Sequence, residues 1–99
     1  METKSLFKQG NVVRIPVTVR PGAFINERFI SLESLSGMIS GFVSAENVLD
    51  VDGDRGFIQG TVLDVKQDTV VVRIKGSFFT TTGLAVLSRD WAASHLSSG

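Results

Sequence analysis

The chain has no cysteine and no tyrosine, and only one histidine and one tryptophan among its 99 residues. Without cysteine there is no disulfide framework, no thiolate metal site and no Cys nucleophile. A single histidine, His95, leaves one imidazole base for any hydrolytic triad. Net charge is also missing, since ten Lys and Arg stand against ten Asp and Glu. That balance argues against a strongly basic nucleic-acid binder or a polybasic membrane binder. No apolar run approaches the roughly 20 residues of a membrane helix. Residues 1–8 carry charge without an apolar stretch, so they do not read as a signal peptide and the expected location is cytoplasmic.

What remains is a folding composition. Hydrophobic residues make up 42% and charged residues 20%, which suits one globular domain spanning residues 1–99. A domain of this length has an expected radius of gyration of about 13 Å. Residues 1–9 and 97–99 are expected to be flexible ends.

Alternation organises most of the chain. Val13, Ile15, Val17 and Val19 alternate with Arg14, Pro16, Thr18 and Arg20, the pattern of a half-buried strand. Pro16 cannot donate to a ladder, which predicts an edge strand or a bulge there. Pro21-Gly22 fits a type II turn. From Phe24 to Val43 two readings compete. In one, residues 28–34 and 38–43 form a hairpin around Ser36-Gly37. In the other, residues 27–36 form a helix capped by Asn26 and Gly37. Strands are preferred because the neighbouring segments are strand-like.

Residues 44–56 are polar and read as a loop. Residues 57–65 and 69–74 form the strongest hairpin signal, with Val70, Val72 and Ile74 on one face. Leu63 and Val65 share a face on the first arm, and Gly60 suggests a bulge. Ser88 is placed to cap a terminal helix, Arg89 to Leu96. Five or six short strands closed by a short helix indicate an all-β fold. A small antiparallel SH3-like barrel is the first reading and an OB-like barrel the second; a helix at 27–36 would make the fold α+β.

Several constellations invite a chemical reading. Asp50, Asp52 and Asp54 match the first three ligand positions of a calcium loop. Position 6 is Arg55 instead of glycine and position 12 is Thr61 instead of glutamate, so the loop reads as a solvated turn, with weak divalent-cation binding as the alternative. Gly37 and Gly41 are spaced glycines without the lysine of a phosphate loop. Ser88, Asp90 and His95 hold triad residue types, but crowded on one short helix they serve capping better than catalysis. No cofactor is called for.

Two surfaces remain. Arg14, Arg20, Lys66, Arg73 and Lys75 lie on outer strand faces or turns and offer a nucleic-acid surface, with Phe78 and Phe79 as a stacking platform. Val62 and Val71 fall out of phase with the core-facing residues of the hairpin. Together with Phe78, Phe79 and Trp91 they form a candidate protein interface. The preferred function is therefore a non-catalytic binding or assembly module that contacts a protein partner or a second copy of itself. Nucleic-acid binding is the alternative, and an enzyme with a site between subunits is the third reading. Charge is uneven along the chain: residues 1–20 are net positive and residues 44–56 net negative. That asymmetry gives a contact between like subunits a direction.

Overall fold

A computed structural model describes residues 7–75, 77–78 and 83–99, with the backbone alone at 77 and 78. Its first strand, β1 (Val12–Pro21), follows the alternation closely. Val13, Ile15, Val17 and Val19 are all buried, and the residues between them face outward. β2 (Glu27–Ser34) and β3 (Gly37–Ser44) form an antiparallel hairpin, so the strand reading holds over the helical one. Its two-residue loop is Leu35-Ser36, one position earlier than the Ser36-Gly37 turn expected. Gly37, at φ +120°, takes the conformation that side chains avoid.

A single 3-10 turn (Ala45–Asn47) leads to β4 (Leu49–Asp52), which turns at Gly53-Asp54 into the long β5 (Arg55–Val65). The polar stretch read as a loop therefore contains a strand. β6 (Thr69–Ile74) completes the strong hairpin. Next come β7 (Ser77–Phe78), β8 (Leu84–Ser88), the helix α1 (Arg89–His95) and β9 (Ser97–Ser98).

All pairings are antiparallel. The sheet order is β7-β3-β2-β1-β5-β6-β8, with β4 also on β5 and β9 also on β1. β7 and β8 both follow β6, yet β7 pairs with β3 at one end of the order and β8 with β6 at the other. The Leu35 amide donates to the Val86 carbonyl at 2.9 Å, bringing the β2–β3 turn onto β8. The result is a nearly closed small barrel with one short C-terminal helix, an all-β architecture of the SH3 or OB kind. Its radius of gyration is 12.9 Å.

The barrel interior is the core. Ile15, Ile30, Leu87 and four valines are fully buried, and every buried side chain among the described residues is apolar or glycine. Phe7, Ala92 and Leu96 join the same cluster. Position 7, expected to be flexible, is thus packed. Residues 97–99 are also tied down: Ser97 and Ser98 pair with Arg14 and Val13, and the Gly99 amide donates to the Val12 carbonyl at 3.0 Å.

Four local expectations change. β1 is a central strand, flanked by β5 on one side and by β9 and β2 on the other. The Val19 amide donates toward β5, to Asp54, whereas the Val12 carbonyl accepts from Gly99 on the opposite side. Alternation therefore turns the even-numbered residues of β1 away from β5. The missing donor of Pro16 falls between the β9 pairing at residues 13–14 and the β2 pairing at residues 18–21. Gly22 is not in the left-handed region of a type II turn. It is required by close approach, because a Cβ there would lie 2.8 Å from the Glu27 carbonyl oxygen.

The bulge lies at Leu63, not at Gly60. Val62 stands opposite Val72 and Asp64 opposite Val71, so Leu63 is the extra residue. An extra residue moves the side-chain phase by one. Val62 faces inward before it and Val65 packs on the core after it. Val62, proposed for an interface, is 0% exposed and belongs to the core.

Candidate functional site

Among the described residues of the apolar interface set, Val62 lies in the core. Val71 is half-buried on the outer face of β6, beside Val86. Trp91 is also half-buried; it packs on the core and stacks on His95 with ring centroids 4.5 Å apart. The Phe78 side chain and Phe79 lie outside the described residues.

The triad residue types are occupied in holding α1. The Ser88 hydroxyl accepts from the Trp91 amide at 3.2 Å, which makes it the N-cap. His95 Nδ1 donates to the Trp91 carbonyl at 2.9 Å. The three aspartates do not converge either. Asp50 is held by Arg14 at 2.8 Å, and among the described residues no group of three His, Asp or Glu side chains is placed to hold a metal ion.

The five basic residues divide. Arg14 is neutralised by Asp50 and lies over the Phe57 ring, 5.7 Å from its centroid. Arg20 is six residues further along β1, roughly 20 Å away at strand rise. Lys66 sits in the β5–β6 turn, where its carbonyl accepts from the Arg89 guanidinium at 3.1 Å. Arg73 and Lys75 are two residues apart and border one cavity.

These two line a cavity at the barrel's seam. β4 pairs with β5 as far as Phe57, and β6 pairs with it from Gly60 onward, leaving Ile58 and Gln59 between them. The cavity there has a volume of about 460 Å³. Its apolar surface includes Val12, Val43, Leu49 and Ile58. Gln59, Thr61, Arg73 and Lys75 join from the β5–β6 side, and Glu46 and Asn47 from the 3-10 turn. A second, more polar cavity of about 780 Å³ shares Glu46, Asn47 and Lys75 and reaches Asn26 and Glu27.

A different surface stands out at the loop between β1 and β2. Phe24 is 70% and Ile25 95% exposed. The loop that presents them is internally bonded. The Gly22 amide donates to the Glu27 carbonyl and the Ala23 amide to Glu27 Oε1, both at 3.0 Å. The Glu27 amide returns a bond to the Phe24 carbonyl at 3.0 Å. Arg28 Nη1 donates to the carbonyls of Ile25 and Glu27, each at 2.9 Å. Val51 on β4, 53% exposed, lines the same hollow as Phe24, Ile25, Arg20 and Arg28.

The chain matches no protein-family model, no curated protein and no solved structure.

Phe24 and Ile25 were not among the sequence candidates. Their signal was the position of an apolar pair between the turn formers Pro21-Gly22 and Asn26. A pair placed there has no neighbouring strand to cover it.

Proposed function

We infer that the chain is a non-catalytic binding module that docks on another protein through the β1–β2 tip. The observation that carries this reading is the exposure of Phe24 and Ile25 on a loop whose backbone is already tied down. Large apolar side chains in water are favourable contacts once covered. A loop ordered in advance loses little conformational entropy when they are. Binding energy at interfaces concentrates in a few such anchors surrounded by groups that exclude water. Arg20, Arg28 and Val51 are available for that surrounding role.

Arg20 and Arg28 line the hollow at the tip, Glu27 is bonded into the loop, and Asp52 and Asp54 adjoin Gly53 of the same hollow, a local balance that gives no preference for an anionic lipid surface. Among the described residues no helix is long and apolar enough to cross a membrane. We place the module in the cytoplasm, as its cysteine-free composition allows. The partner is a second copy of the chain or a foreign protein.

A photo-reactive phenylalanine analogue replacing Ile25 tests the reading. The expected result is one discrete crosslinked species, either a dimer in purified protein or a single adduct in the native cell. The same analogue at exposed Gln67 serves as control. Labelling at position 25 no stronger or more discrete than at position 67 refutes tip docking.

A further inference from the structure

We propose that the seam cavity between β4 and β6 is a binding site for a small organic monoanion, one acidic group on an apolar body. This inference is independent of tip docking. A volume of about 460 Å³ lies within the range of pockets that enclose small ligands, about 300–1,000 Å³. Such pockets combine an apolar lining with a few converging polar groups. Here Val12, Leu49 and Ile58 supply the lining, and Arg73 and Lys75 the charge.

The strand alternation explains the two cations. Arg73 on β6 and Lys75 just beyond its end flank the buried Ile74, and both are exposed. Among the described residues neither is ion-paired, in contrast to Arg14, which is held by Asp50. Two positive side chains on one lip attract an anion, and the guanidinium can bind its oxygens in a fork. Glu46 on the other side of the cavity limits the charge. A second negative group would meet its carboxylate, so a monoanion fits better than a dianion or a polyphosphate chain. The same argument disfavours nucleic acid, whose successive phosphates need more than two free cations.

The test uses 1-anilinonaphthalene-8-sulfonate, a monoanion on an aromatic body, followed by its own fluorescence. It is run in the F24S/I25S variant, so that the exposed tip does not take up dye. Both positions are exposed, so this variant keeps the core intact. Saturable one-to-one binding is expected. R73Q and K75Q should each weaken it about tenfold, the scale of one hydrogen bond to a charged group. E46Q should tighten it. T61F, which fills the cavity without changing its charge, should abolish it. Octanoate should displace the dye and octanol should not. Unsaturable dye uptake, or an affinity unchanged by R73Q, K75Q and T61F, overturns the proposal. Because the tip is already removed, such a failure leaves the docking reading untouched.

Discussion

Val62→Ala should unfold this protein far more readily than Leu63→Ala, although alternation along β5 assigns Leu63 to the core and Val62 to the surface. Val62 is fully buried, whereas Leu63 is the half-exposed extra residue of the bulge. Truncating Val62 removes two methyl groups, worth about 0.8 kcal/mol each in transfer free energy. The cavity left behind raises the loss to about 2–3 kcal/mol. For a domain of this length each kcal/mol lowers Tm by roughly 4–8 °C, so V62A should melt roughly 10–20 °C below the parent. In urea, with a slope of about 1–2 kcal/mol per molar, the midpoint should fall by about 1–3 M. L63A should cost less than about 1 kcal/mol, because its side chain already meets water. Trp91 packs on the core, so its fluorescence reports the transition alongside far-UV circular dichroism. Equal losses, or a greater loss for L63A, would refute the bulge as the cause of the phase change.

Two further outcomes probe local devices. Ser88→Ala removes the hydroxyl that accepts from the Trp91 amide, and should cost about 1 kcal/mol in thermal unfolding, while Ser88→Asp should stay within a few tenths of the parent. Arg28→Ala removes the two bonds to the Ile25 and Glu27 carbonyls. Backbone ¹⁵N order parameters at residues 23–26 should then fall while Tm changes by only a few degrees; unchanged order parameters would show that the guanidinium does not hold the tip.

The fold was legible where one periodicity ran uninterrupted. The valines and isoleucine of β1, the inward set of β6 and the Ser88 cap could all be read directly, because each depends on residues two to four positions apart. Val62 was misread because a bulge breaks the period with no residue type that marks it. Gly60 looked like the marker, yet it faces inward, where a Cβ would lie 2.8 Å from Ile15 Cδ1. β4 (Leu-Asp-Val-Asp) and β9 (Ser-Ser) were missed because segments of four and two residues are too short to show a period and become strands only through their pairing with β5 and β1. The candidate sites were less legible than the fold. Exposure of Phe24 and Ile25 depends on what fails to cover them, and the seam cavity depends on β4 and β6 sharing one edge of β5. Both are properties of pairing between distant segments, which spacing along a chain does not encode.

The position of Pro16 matters before the barrel exists. The β2–β3 and β5–β6 hairpins join neighbouring segments and can form within microseconds. β1 must wait for β5, with Ile15 and Ile58 more than forty residues apart, and non-local pairings of this kind set the slow phase of small β-proteins, milliseconds to seconds. During that interval residues 12–17 of the valine-rich β1, which β2 does not reach, have both edges open. A strand of this composition is a template for the same segment of another chain. Pro16 interrupts the row of donors in the middle of that template. In the finished fold its missing N–H falls between the β9 and β2 pairings of β1, where no strand partner needs a donor, so the protection carries no cost in native pairing.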